Sequence, residues 1–241
     1  MTHETRILQW GIKDEDTLFQ EWIESNGILP EKFSDDGIVD QTKFDTFWSP
    51  YPRIVFVLKE VNSCDGFSLR SFLYNGACDE SGYRNGRPTW ACVQRLLVRL
   101  SDTMGRGLKL GKDNRAEALR TVAAMNLKKT PGGSIASSPA IADRTRQDRD
   151  FLARQVKLYC NQPTVFVCGG RVVYDLLRKT LELAWNRELA CITISGTEYF
   201  QIEKGVFAFD AGHHLNRFPK KLDDRFVRAV MALSKNGCDG G

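Results

Sequence analysis

Four stretches of this 241-residue chain each close a mostly apolar run with residues that can do chemistry. Arg53 to Leu58 leads into Lys59-Glu60-Val61-Asn62, and Thr121 to Met125 leads into Asn126-Leu127-Lys128-Lys129-Thr130-Pro131-Gly132-Gly133. Thr164 to Cys168 leads into Gly169-Gly170-Arg171, and Val206 to Phe209 leads through Asp210 into His213-His214-Leu215-Asn216-Arg217. Apart from His3 those are the only histidines, and imidazole is the side chain that titrates nearest neutral pH. A carboxylate can steady a cation or orient water, a carboxamide can read a hydrogen-bonding edge, and paired glycines let a ligand approach the backbone. Each group also has a plainer use. Glu60 could pair with Lys59 or Arg87, Asn126 could tie off its strand, and the histidines could cap a turn, with His214 rather than His213 facing any crevice.

The runs that precede these groups read as strands buried on both faces. Between them fall helical patterns at Trp90 to Thr103, Arg115 to Arg120, Asp148 to Tyr159 and Val172 to Arg187, with a last helix at Leu222 to Leu233. Alternating strands and helices predict a three-layer α/β/α sandwich around a central, mainly parallel four-stranded sheet, where ligands bind at the carboxyl ends of the strands. Leu18, Phe19, Trp22 and Ile23 give Asp14 to Ser25 the spacing of an amphipathic helix. Phe33 to Tyr51 reads as turn-rich, Thr130 to Ala142 as a long flexible loop, and Cys191 to Ser195 with Tyr199 to Glu203 as an added hairpin. The whole predicts a single domain: an N-terminal helical extension over 1–50, a core over 51–218, and a C-terminal helix and tail over 219–241.

At 42% hydrophobic residues the chain can build such a core, and a net charge of +4 conceals segregation. Residues 1–50 hold eleven acids against four bases, whereas 95–129 hold nine bases against three acids. A basic region suits a polyanionic partner, and solvated helix faces give a similar pattern. Seven cysteines without a CxxC pair point to reduced thiols in a cytoplasmic protein rather than a disulfide framework or a zinc site. No basic-then-apolar leader and no run near the ~20 apolar residues of a membrane helix is present, so no membrane partner is expected.

From Arg53 to Arg217 the chain resembles the uracil-DNA glycosylase superfamily, nearest to the branch whose first motif is Gly-Glu-Ala-Pro-Gly. Val57-Leu58-Lys59-Glu60-Val61-Asn62 stands at that strand and motif, and Gly86-Arg87-Pro88-Thr89-Trp90 at Gly-Arg-Pro-Phe-Val. Asn126-Leu127-Lys128-Lys129 stands at Asn-Val-Val-Lys, Val165-Phe166-Val167-Cys168-Gly169-Gly170 at the third strand and its glycine turn, and His213-His214-Leu215-Asn216-Arg217 at His-Pro-Ser followed by Arg. The resemblance implies a DNA glycosylase that everts a uracil or modified pyrimidine and hydrolyses its N-glycosidic bond. It implies Glu60 or Asn62 for the sugar cation and its water, and His213 for the departing base. Asn126 would read the base edge, Trp90 would stack on it with Phe67 and Tyr83 as competitors, and Thr89 and Lys59 would line the pocket. Lys128, Lys129, Ser134, Arg171, His214 and Arg217 would contact DNA, and Leu215 or Phe218 would wedge into the vacated space.

The departures bear on substrate. Val61 stands where several branches carry a water-activating Asp or Asn, Asn62 replaces a proline, Thr89 a flat aromatic, and His214 and Leu215 the Pro-Ser of the last motif. A bulky modified pyrimidine of viral DNA fits these changes, with anti-phage defence and DNA repair both open as its setting. The branch's iron-sulfur cysteines are missing before Cys64 and at Thr130, so no metal or other cofactor is expected. The expected enzyme is monofunctional and monomeric, acting on single- or double-stranded DNA. The alternative is an inactive nucleic-acid-binding protein on the same fold.

Overall fold

A computed structural model describes residues 12–62, 66–77, 87–111, 113–132, 138–194, 197–211 and 223–236. Helix α1 (Ile12–Asn26) and a 3-10 turn (Pro30–Lys32) lead to β1 (Gly37–Ile38), α2 (Gln41–Thr46) and β2 (Arg53–Asn62). Then come α3 (Leu69–Tyr74), α4 (Arg87–Met104), α5 (Arg115–Leu119), β3 (Ala123–Gly132), α6 (Ser138–Gln147), α7 (Arg149–Leu158) and β4 (Thr164–Cys168). The remainder is α8 (Arg171–Trp185), β5 (Cys191–Ile194), β6 (Thr197–Glu203), β7 (Val206–Asp210) and α9 (Asp223–Asn236).

These strands make one mixed α/β sheet of seven, in the order β1-β3-β2-β4-β7-β6-β5. Its centre, β3-β2-β4-β7, is parallel, while β1 and the β5-β6 hairpin add antiparallel strands at either edge. The expected sheet of four is therefore the middle of a wider one: the hairpin pairs with β7 instead of standing apart, and β1 extends the other edge. Ile54, Val55, Phe56 and Val57 are all fully buried, as a parallel strand with helices on both faces requires. Their alternation feeds two apolar layers. Ile54 and Phe56 join Leu96, Leu97 and Phe226 of α4 and α9, whereas Val55 and Val57 join Trp22, Val156 and Leu177 of α1, α7 and α8.

Two further stretches differ from expectation. Within Phe33 to Tyr51, Asp40 accepts from the Lys43 backbone N–H at 3.0 Å and so caps α2, and Trp48 donates its indole N–H to the Thr121 carbonyl at 3.0 Å. The expected loop Thr130 to Ala142 begins as the end of β3 and finishes inside α6. Ser138-Pro139 opens that helix, and proline suits its first turn because no intrahelical partner awaits its missing N–H. Among the described residues no helix is long and apolar enough to cross a membrane.

Candidate active site at the carboxyl ends of the parallel strands

Parallel register brings the first two predicted site residues to one place. Leu58 lies beside Asn126 and Glu60 beside Lys128, so these side chains share the sheet face that looks toward α4. Glu60 accepts from the Lys128 ammonium at 2.6 Å, and Lys128 also donates to the Pro131 carbonyl at 3.0 Å. Glu60 is thus paired with Lys128 rather than with its neighbour Lys59. Beyond this rung β3 carries a bulge, for Asn62 pairs with Gly132 rather than with residue 130. The return brings Gly132 against the Glu60 carboxylate so closely that an added Cβ would overlap it, which is why glycine serves there.

Asn126 is buried, and its surroundings define its orientation. Its backbone N–H donates to Asp36 Oδ2 at 2.7 Å and its Nδ2 donates to the same oxygen at 3.3 Å. Its Oδ1 is buried without a hydrogen-bond partner among the described residues. Three residues later, on the opposite face, Lys129 is fully buried between Asp36, at 2.6 and 2.7 Å, and Gln155 Oε1, at 2.7 Å. A phosphate cannot reach an ammonium enclosed in this way, so Lys129 is removed from the expected DNA contacts. Burial lowers its pKa, opposed by the Asp36 charge.

The enclosure continues through Gln155 Nε2, which donates to Asp36 Oδ1 at 2.9 Å and to the Tyr159 hydroxyl at 3.2 Å, and through that hydroxyl to Glu15 of α1. Glu15 also accepts from the Ile38 N–H at 3.0 Å and from Arg70 at 3.3 Å. Burial pushes its carboxyl up to about 7 from the ordinary 4.5, against the opposing pull of Arg70 and the Tyr159 and Ile38 hydrogen bonds. Asp36, Gln155, Tyr159 and Glu15 were not foreseen. A signal existed: Glu15 precedes Phe19 by four and Trp22 by seven, and Gln155 adjoins Leu152 and Val156, so both polar groups fall on apolar stripes.

Other expected site residues scatter. Trp90 is 4% exposed and packs in the layer between α4 and the sheet, which removes it from base stacking. Phe67 is half-buried, edge-on to Phe72 at 5.1 Å, and Thr89 is half-buried in the first turn of α4. Strand alternation turns Lys59 to the face opposite Glu60. Asn62 provides the last rung of β2. Arg171 opens α8 after Gly170, whose φ of 105° only glycine adopts freely, and its guanidinium already pairs with Asp175 and Glu198 at 3.0 and 2.8 Å. Ser134, His213, His214, Leu215 and Arg217, together with Tyr83 and Phe218, lie outside the described residues.

Of the nine bases in the basic segment, Arg115 and Lys129 are buried and Lys128 is paired with Glu60, so these three add nothing to an exposed basic face. Among the described residues Cys160, Cys168 and Cys191 are free thiols, and no group of three or more His, Cys, Asp or Glu is placed to hold a metal. Burial drives the Cys160 thiol up to about 12 and Cys168 well above the ordinary value, which leaves both poor nucleophiles. What the strand ends assemble is a half-buried acid neutralised by a lysine, beside a carboxamide with an open acceptor. Compared with known proteins, the chain matches no family model and no curated protein.

Proposed function

We propose that this chain is a monofunctional DNA glycosylase of the uracil-DNA glycosylase type, which everts a uracil or modified pyrimidine from DNA and hydrolyses its N-glycosidic bond without a cofactor. One observation carries the reading: Glu60, the eighth residue of β2, and Asn126, the fourth of β3, share one face of two adjacent parallel strands, and the Asn126 Oδ1 has no partner among the described residues. Bond cleavage places positive charge on the sugar and negative charge on the departing base. Glu60 faces the cation and orients water, Lys128 tempers the acid, Asn126 reads the base, and His213 donates to the base as it leaves. The enzyme acts in the cytoplasm, on single- or double-stranded DNA, and the altered motif positions suit a modified viral pyrimidine in defence.

Purified protein should create alkali-labile abasic sites in oligonucleotides carrying uracil or a modified pyrimidine, and Asn126→Ala or His213→Ala should abolish them. A panel of such DNAs left intact would overturn the enzyme reading. The tight Glu60–Lys128 pair favours one competitor, a nucleic-acid-binding protein whose acid is permanently neutralised. Salt-sensitive DNA binding with no base released would select it.

A further inference from the structure

The residue that decides what Asn126 can read lies before Arg53, outside the span that carries the family resemblance. Asp36 follows the 3-10 turn and stands at the sheet edge, where its carboxylate collects donors from both faces: the Asn126 N–H and Nδ2 from one, Lys129 Nζ and Gln155 Nε2 from the other. A carboxylate has lone pairs and no proton to give, so only the amino end of the Asn126 carboxamide can face it. The carbonyl end is thereby turned away. Without such a neighbour the two ends of an amide are nearly interchangeable by a half-turn, and the group would read donors and acceptors alike.

Asp36 cannot itself swing aside. Lys129 bridges both its oxygens, Gln155 fixes one of them, and all three side chains are fully buried. Gln155 is oriented by the same logic, since its Oε1 meets the Lys129 ammonium and its Nε2 meets Asp36 and Tyr159. The result is a rigid support that leaves one acceptor, the Asn126 Oδ1, without a partner among the described residues. A buried acceptor left unpaired is costly, and a ligand that brings an N–H to it removes the cost.

We infer that Asp36 is a positioning residue that locks the Asn126 amide with its oxygen toward the ligand, making the site selective for bases that present an N–H donor there. The donor is an imide N–H or an exocyclic amino group. The ligand class rests on the glycosylase reading, whereas the locked orientation does not.

The test uses three oligonucleotides alike except for one base: uracil, cytosine, or pyrimidin-2-one, which keeps the ring but offers no N–H on its pairing edge. Binding and base release are measured for the wild type and for Asp36→Asn combined with Lys129→Met, the second change removing the ammonium that the first would strand. The wild type should favour uracil or cytosine over pyrimidin-2-one by roughly tenfold or more, and the double variant should narrow that ratio to within about threefold. Base release with equal handling of all three by the wild type would overturn the inference and leave the glycosylase reading intact. Discrimination in binding with no release would do the reverse, and binding that ignores the base would overturn both. Amide exchange of the Asn126 side chain, assigned against Asn126→Ala, needs no substrate: one protected hydrogen of the pair is expected in the wild type, and two that exchange equally would refute the lock.

Discussion

Two lysine–carboxylate pairs rise from adjacent residues of β3, Lys128 with Glu60 on one face and Lys129 with Asp36 on the other, and both close at 2.6 Å. Their distances are equal and their circumstances are not. The first pair keeps side-chain exposures of 15% and 6%, whereas the second has none at all and is completed by Gln155 and the Asn126 backbone. Water reaches the first and is barred from the second. The same chemistry therefore yields a partly exposed ion pair on one side of the sheet and an enclosed one on the other, and what separates them is desolvation rather than contact geometry.

The largest expected effect comes from orphaning one partner of the enclosed pair. Lys129→Met or Asp36→Ala should cost about 3–5 kcal/mol, because each leaves a buried charge or its donors unpaired, while Lys128→Met should cost about 1 kcal/mol or less. Denaturant unfolding of the three variants decides this, and equal losses would erase the distinction between the faces. Next in size is a pH effect at the far end of the enclosed network. Glu15 titrates near 7 in the fold against 4.5 when unfolded, so between those values the folded state holds the extra proton and stability falls as pH rises. The slope is about 1.4 kcal/mol per pH unit, or on the order of 3 kcal/mol across the window. Asp35 and Asp148, also raised by burial, slope the same way, so the measurement is the difference between the wild type and Glu15→Gln. That variant should gain on the wild type steadily from pH 4.5 to 7, and parallel curves would show that Glu15 is ionised throughout.

This contrast also separates what the sequence discloses from what it withholds. Buried parallel strands announce themselves through unbroken apolar runs, and Thr164–Cys168 emerges with the bounds its residues suggest. The wider sheet did not, because β1 is two residues long and acquires meaning only through its pairing with Ala123 and Ala124. Register made Glu60 and Asn126 legible as neighbours, since strand ends in a parallel sheet gather at one edge. The opposite fate of Lys129 was also within reach, for an offset of three from Asn126 reverses the face of a strand. Asp36 was not: it meets Asn126 across 90 residues, and no local period encodes such a contact. Trp90 misled for a related reason, in that a motif position fixes a place on a helix without fixing which way the helix faces.

Gly132→Ala sharpens the exposed side of the comparison. The new methyl would collide with the Glu60 carboxylate, forcing the Glu60–Lys128 pair apart or the bulge outward at about 1–3 kcal/mol, and under the proposed chemistry base release should fall more than stability does. An unchanged rate would mean that the pair tolerates a shift and that its alignment is unimportant.

The smallest effect belongs to Arg171, whose guanidinium is more than half exposed and shared between Asp175 and Glu198. Exposed pairs of this kind contribute little, so Arg171→Gln should alter stability by no more than about 0.5 kcal/mol. Its value lies in DNA binding. A free cation against phosphate adds about one to the salt dependence of binding, and a cation already balanced by two acids adds much less. The slope of log affinity against log salt should therefore be nearly the same for the variant and the wild type. A slope smaller by about one would show that Arg171 abandons its acids for phosphate and would return it to the contacts expected from the sequence.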